Sequence, residues 1–359
     1  MVTAEAIIDL AALKQNYQTL KSISRCNQVV AVVKGDAYGH GAVEVARALN
    51  FADKFAVSRI EEAVELRDAG IKQPILLLEG CFCAEDLIVA AESGFETVIH
   101  QRQQLDDFLS SELSTPVKVW LKVDTGMHRV GVTPELVSEY VSLLSASASL
   151  DGEVNFVSHF SCADDPESPA TLRQIERFSE CVNGYGGEKS IANSAAILNW
   201  RDAHFDWVRA GIALYGISPD SERTGADYQL SPVMTLKSKL IAVREHKANQ
   251  PVGYGEIWTS DKDTKIGVIA LGYGDGYPRL APQGTPVWIN GREVPISGRV
   301  SMDMITVDLG NDSEDKPGDS VEFWGSHLPV EKVSNCIGTI PYELTIKLTK
   351  RVVKTYKLV

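Results

Sequence analysis

Positive charge is what this 359-residue sequence is short of: 35 lysines and arginines stand against 48 aspartates and glutamates, a net charge of -13. Such a balance supplies no general basic field for nucleic acid or an anionic membrane. The one basic cluster, KLTKRVVKTYK near the C-terminus, alternates in a way that predicts a final strand with a charged, solvated face. Long apolar runs are also missing. The N-terminus, MVTAEAIIDLAALKQNYQTL, has no charged segment leading into an apolar core, and nothing later approaches the roughly 20 residues of a membrane span. We therefore expect a cytoplasmic protein. Six cysteines are too few and too scattered for a disulfide framework, and Cys81-x-Cys83 lacks a second Cys/His pair at ligand spacing, so free thiols and no metal are expected. No repeat of solenoid length and no low-complexity segment is present.

With 44% hydrophobic and 23% charged residues, the chain has the composition of a globular protein, and its length suffices for two domains. From about residue 28 to 216, eight β-branched runs recur: QVVAVVK, KFAVS, PILLLEG, ETVIH, VKVWLKVDTG, GEVNFVSHF, KSIANS and WVRAGIALYG. Most are separated by helical patterns such as RIEEAVELRDAG, where Ile60, Ala63, Val64 and Arg67 follow helical spacing and Gly70 supplies a stop. Eight βα units are the number that closes a (β/α)8 barrel, with an open doubly wound sheet as the alternative. The segment SPDSERTGADYQLSP breaks this pattern. After it the period becomes two, through MTLKSKLIAVREH, VWINGREV with its Asn290-Gly291 turn, SMDMITVDLG, DSVEFWGS and VVKTYKLV. The expected fold is an α/β (β/α)8 barrel over residues 1–228 followed by an all-β domain over 229–359.

In such a barrel the chemistry sits at the C-terminal ends of the strands. Lys34 ends the first run, Lys122 and Arg129 the fifth, His159 the sixth and Ser194 the seventh, while Arg209 and Gly211 lie in the eighth. Loops after strands seven and eight often hold phosphate, a place that Ser194 and the Gly211–Ile212 backbone fit. A lysine amine, a phosphate pocket and no metal cluster together suggest pyridoxal phosphate held as a Schiff base. Singly, each residue has a plainer reading. Lys34 and Lys122 are also what snorkelling lysines look like, His159 a core histidine, Arg209 the partner of a structural carboxylate and Ser194 a helix cap. Their common position on one face of one barrel favours function.

These motifs resemble those of the alanine racemases. AVVKGDAYGHG matches that family's lysine motif, usually AVVKADAYGHG, with Gly35 in place of the common alanine. KVDTGMHRVG, SHFSCAD, ANSAA, VRAGIALYG, VGYGE, GYGDGYPR, GRVSMDM and PYE follow in the family's order across nearly the whole chain. The resemblance implies an isomerase that interconverts L- and D-alanine with pyridoxal 5′-phosphate, supplying D-alanine for peptidoglycan, and a homodimer whose active sites draw on both subunits. It implies that Lys34 carries the cofactor and that the partner subunit's Tyr254 is the opposing base. Tyr38, Ser194, the Gly211–Ile212 backbone and Tyr342 are then the phosphate ligands, and Arg209 faces the pyridine nitrogen. Arg129 and the partner subunit's Met302 are the contacts for the substrate carboxylate region, the partner subunit's Tyr273 lines the mouth of the site, and Lys122, often carbamylated in the family, orients Arg129.

Racemisation removes the α-proton from one face and returns a proton to the other, which suits two acid/base groups on opposite faces. A tyrosine's ordinary pKa is about 10, so the family likeness suggests a relay from Arg209 through His159 that favours the phenolate. One departure is RVVK at Arg351–Lys354, where the family commonly has RVPR; another is Ser301, where Cys is also seen. The competing readings are a racemase of serine, lysine or broad specificity, a non-catalytic cofactor-binding protein of the same barrel type, and a decarboxylase of related fold.

Overall fold

The computed structural model describes residues 3–26 and 28–358. Its contacts divide the chain into two compact units, one of residues 14–37 and 41–214, the other of residues 1–13, 38–40 and 215–359.

The first unit is built on eight parallel strands: β2 (Val29–Val32), β3 (Lys54–Val57), β4 (Ile75–Leu77), β5 (Phe95–Ile99), β6 (Val119–Lys122), β7 (Asn155–Val157), β8 (Lys189–Ser190) and β9 (Val208–Ala210). They correspond in order to the eight runs expected from the sequence. From β2 to β8 each strand pairs with the next in sequence, and β2 pairs with β9 in the register Val30↔Arg209. Between β8 and β9 the backbone N–H of Arg209 reaches the Ala192 carbonyl at 2.9 Å, which brings the sheet close to a complete barrel. Helices separate most of the strands, among them Ile60–Asp68, whose buried residues are Ala63 and Leu66.

Near the N-terminal ends of the strands the barrel interior holds an ion pair. Lys54 donates to Glu96 at 2.7 Å, Trp120 donates its indole N–H to the same carboxylate oxygen at 2.7 Å, and the Lys54 ammonium lies 4.9 and 4.3 Å from the Trp120 and Trp207 rings. Burial lowers the Lys54 pKa and Glu96 pulls it back up. Removing one partner of such a buried pair typically costs about 3–5 kcal/mol, because the other charge is left alone. Side chains alternate along a strand, so the inward side of Glu96 and Trp120 is also that of His100 and Lys122 at the opposite end.

In the second unit β1 (Glu5–Asp9) lies between two later strands. It runs antiparallel to β10 (Met234–His246) and parallel to β18 (Val353–Lys357). β10 pairs with β17 (Ser320–Trp324) over Leu236–Lys239 and with β13 (Thr264–Ile269) from Leu240 onward, with a register shift between Leu240 and Ala242. β11 (Pro251–Val252) and β12 (Trp258–Thr259) form a separate hairpin. β14 (Pro286–Ile289) and β15 (Arg292–Pro295) are joined by Asn290 (φ 45°) and Gly291 (φ 85°), the two positive φ angles of the expected tight turn, and β16 (Ile305–Asp308) pairs with β13. β18 is the expected final strand and buries no side chain: Val353, Thr355 and Lys357 are exposed, and Lys354 and Tyr356 are half-buried, so the exposed face is not a purely charged one. The departure from RVPR is explained here: Val353 donates its backbone N–H to the Ala4 carbonyl at 3.1 Å, a bond that proline lacks the hydrogen to make.

Candidate active site

Lys34 follows β2 by two residues, and the chain then makes a left-handed turn. Gly35 (φ 61°, ψ 47°), Asp36 (φ 53°, ψ 47°), Ala37 (φ 53°, ψ 51°) and Tyr38 (φ 54°) all occupy the left-handed region. This conformation costs a residue with a Cβ about 1–2 kcal/mol, so glycine at 35 relieves one position of four. Hydrogen bonds hold the rest. Gly35 donates its N–H to Glu62 at 2.6 Å, and Ala37 donates to the Val33 carbonyl at 2.8 Å. Asp36 accepts the Ala42 N–H on its side chain at 2.8 Å and the Gly41 N–H on its carbonyl at 2.9 Å. The second oxygen of Glu62 accepts the backbone N–H groups of Ser58 and Arg59, which ties the turn to the loop after β3.

The mouth of this barrel is crowded with cations. Burial pushes the Lys34 amine below its ordinary pKa; Glu79 and Glu62 pull it back, while Arg129 and Arg209 add to the depression. Lys122 is lowered to about 8 by burial, with Arg209, Arg129 and Lys34 acting in the same direction. His159 lies well below the usual imidazole value, first through burial and then through Arg209 and Lys122, so it is neutral at pH 7. Its Nδ1 accepts from Arg209 at 3.2 Å. Arg209 is itself 5% exposed. It donates to Ser190 Oγ at 2.8 Å and to the Ser158 carbonyl at 2.7 Å, and among the described residues no carboxylate lies within ion-pair distance of it. Burial lowers its pKa to about 10, which leaves the guanidinium charged at neutral pH. The plainer reading of Arg209 as a structural ion-pair partner is thereby excluded.

The loop after β6 folds back so that Arg129 and Lys122 line one small recess with Ser158 and His159. Asp124 directs this fold by accepting the N–H groups of Gly126 and His128, each at 3.0 Å. Gly131 (φ 137°) permits the return, since a Cβ there would stand 2.7 Å from the Asp124 nitrogen. Ser194 is the first residue of the helix Ser194–Asn199 rather than its cap. Asn193 caps it by accepting the Ala196 N–H, which leaves Ser194 Oγ to accept from Gly211 at 2.9 Å and Ala213 at 3.2 Å. With its lone pairs so engaged, the Ser194 hydroxyl keeps its proton to donate to an anion. A buried arginine with neutral partners, a hydroxyl aimed as a donor and a desolvated amine fit an anionic, carbonyl-bearing cofactor.

In the second unit, the Tyr38 ring lies 5.1 Å from that of Tyr215 and 5.8 Å from that of Tyr342, and burial raises the Tyr38 pKa. Tyr254 stands between Gly253 (φ 76°) and Gly255 (φ 75°) at the tip of the β11–β12 hairpin and is 71% exposed. Tyr273 and Met302 sit on adjacent loops, where Tyr273 donates its N–H to the Ser301 carbonyl at 3.0 Å, and both side chains are exposed. Among the described residues no group of three or more His, Cys, Asp or Glu side chains is placed to hold a metal ion, the six cysteines are free, and no helix is long and apolar enough to cross a membrane.

Two family descriptions cover this architecture: "Alanine racemase, N-terminal domain" matches residues 8–219, and "Alanine racemase, C-terminal domain" matches residues 233–356. The chain belongs to the alanine racemase family. It is 53% identical over 356 residues to the alanine racemase of Vibrio parahaemolyticus, covering 99% of both chains. It is 52% identical over 357 residues to the biosynthetic alanine racemase of Escherichia coli, again covering 99% of both. The crystal structure of the biosynthetic alanine racemase from Pseudomonas aeruginosa superposes with a TM-score of 0.97 at 43% identity, over 100% of both chains.

For this member of the alanine racemase family, the sequence reading missed the residues that support the site. Gln174 is buried and donates to the His159 carbonyl at 2.9 Å and to Thr125 Oγ1 at 3.2 Å, linking the loops after β6 and β7. Gln104 does the same around β4 and β5: it donates to the Glu79 and Cys81 carbonyls and accepts the His100 N–H at 2.9 Å. The available signal was an uncharged polar residue at core spacing, since Gln174 shares a helix face with buried Thr171, Phe178 and Val182.

Proposed function

We propose that this chain interconverts L-alanine and D-alanine with pyridoxal 5′-phosphate, as a cytoplasmic homodimer whose active sites take residues from both subunits. The observation that carries the reading is the buried Arg209 guanidinium, charged and without a carboxylate, in the same barrel mouth as the desolvated Lys34 amine. Lys34 would hold the cofactor covalently through its amine, Ser194, Tyr38, Tyr342 and the Gly211–Ile212 backbone would hold its phosphate, and Arg209 would meet its ring nitrogen. When bound, pyridoxal phosphate supplies the electron sink that makes the α-proton of an amino acid removable.

The chain's own groups then determine the outcome. Lys34 Nζ takes or gives the proton on one face of the α-carbon, and the hydroxyl of the partner subunit's Tyr254 does so on the other. A depressed amine pKa suits the base role, because more of the amine is deprotonated near neutral pH. Arg209 stays protonated and would keep the ring nitrogen of the bound cofactor unprotonated, where a carboxylate would favour its protonation. A ring so held would be a weaker electron sink, which would favour return of the proton to the α-carbon. His159 accepts from Arg209 and passes that polarisation toward the partner subunit's Tyr254. Arg129 holds the substrate carboxylate, together with the backbone of the partner subunit's Met302, and the partner subunit's Tyr273 lines the mouth. Lys122, with its pKa near 8, has the neutral fraction needed to add to CO2, forming an N–C bond and releasing one proton, and the resulting carbamate orients Arg129.

Circular dichroism of L-alanine, L-serine and L-lysine incubated in parallel with the holoenzyme tests the assignment. Optical activity is expected to vanish fastest with alanine. Faster loss with serine or lysine reassigns the substrate, and no loss with any of them despite bound cofactor contradicts the enzyme reading.

A further inference from the structure

Tyr273 and Met302 stand on two loops that meet at one arginine. Arg351 donates from Nη2 to Asp303 at 2.8 Å, on the Met302 loop, and its Nε lies 3.1 Å from an oxygen of Asp275, on the Tyr273 loop. Asp275 is buried, and its second oxygen accepts the Gly272 N–H at 2.9 Å. Two residues before the arginine, Thr349 donates its N–H to the Asp275 carbonyl at 3.0 Å and its hydroxyl to the Gly274 carbonyl at 2.9 Å. The two loops also bond directly, Gly274 donating to the Met302 carbonyl at 2.8 Å. The guanidinium packs directly over Gly274: a Cβ there would lie 2.4 Å from Arg351 Nη1 and 3.0 Å from the Met302 carbonyl oxygen, so a side chain at 274 would push Arg351 out of place. One residue after Arg351 the chain enters β18, which pairs with β1 and whose Val353 N–H donates to the Ala4 carbonyl just before β1.

The pair with buried Asp275 holds the Tyr273 loop in place, but stability is a poor explanation for the second arm, to Asp303. Arg351 and Asp303 are about half exposed, and pairs so exposed contribute little. A planar guanidinium with one carboxylate from each of two loops instead fixes the loops against each other, which a flexible ammonium does less well. We infer that Arg351 is a positioning residue that sets the Tyr273 and Met302 loops for substrate binding in the partner subunit's active site. The inference rests on the shared-site reading proposed above. It also gives the RVVK segment a role: the arginine that clamps the loops is kept, and the valine in place of proline anchors the strand behind it.

Hybrid dimers purified through two different tags test this directly. In the first, one subunit carries Lys34→Ala and the other Arg351→Ala, so the site that retains Lys34 receives its trans loops from a subunit with an intact Arg351. In the second, both substitutions lie in one subunit and the other is wild type, so the working site receives its trans loops from the Arg351→Ala subunit. The first hybrid is expected to show the wild-type KM per working site. The second should show a KM raised about tenfold with kcat within about twofold, and alanine titration of the cofactor absorbance should weaken by the same factor. Arg351→Lys in the second arrangement should give an intermediate value, and it serves in place of alanine if that variant fails to fold. A defect in the first hybrid alone overturns both the shared-site reading and the inference. Equal defects in both hybrids mark a structural role and overturn positioning in trans. No defect in either overturns the role of Arg351, while the shared site stands if Tyr254→Phe placed in the Lys34→Ala subunit silences the dimer.

Discussion

Lys34→Ala is expected to abolish the visible absorbance of covalently held pyridoxal phosphate and to lower racemisation by more than about 10^4-fold, because one side chain both carries the cofactor and moves a proton. The variant should fold as well as the parent. Burial lowers the Lys34 pKa, so at neutral pH its charged form is penalised in the folded state, and alanine removes that penalty. Loss of function with an unchanged melting temperature of the cofactor-free proteins separates a chemical role from a structural one. A borohydride-fixed cofactor adduct on the folded variant would show that another amine holds the cofactor.

Tyr254→Phe should leave cofactor absorbance intact and slow proton removal from L-alanine by about 10^2–10^4-fold, with a much smaller effect on proton removal from D-alanine. The hairpin tip tolerates the change because the Tyr254 side chain is exposed and flanked by two glycines at positive φ, so no packing depends on its hydroxyl. Exchange of the α-hydrogen in deuterated water, followed from each enantiomer separately, reads the asymmetry. Equal slowing from both would remove Tyr254 from the proton-transfer step.

Much of this was legible in the sequence because the barrel repeats one local pattern. Strands buried on both faces must be short apolar runs, and the turn residues between them separate the runs whatever the tertiary context. β1 was not legible. EAIID is five residues long, passes directly into the helix Leu10–Ile23 without a turn signal, and pairs with strands more than 200 residues away. The left-handed turn after Lys34 was also hidden, since Ala37 and Tyr38 have no local preference for positive φ and Asp36 alone has some; the N–H groups that Glu62 and Asp36 accept impose it.

At the site, residue identities could be read from the motifs, but their electrostatic roles could not. That Arg209 is charged without a carboxylate, and that His159 accepts rather than donates beside it, depends on which neutral groups the barrel brings to them. Ser194 illustrates the same limit. A serine at the start of a helix reads as a cap until Asn193 is seen to do the capping.

The most direct test of two acid/base groups on opposite faces is early-time racemisation of L-alanine by the wild-type holoenzyme in deuterated water, with each enantiomer isolated before a tenth of the substrate has turned over. The D-alanine formed should carry deuterium at the α-carbon while the recovered L-alanine keeps its protium, because the group that removes the proton is not the group that returns one. Deuterium appearing equally in the recovered L-alanine, or protium retained in the D-alanine, would point to a single base and contradict the assignment of Lys34 and the partner subunit's Tyr254 to separate faces.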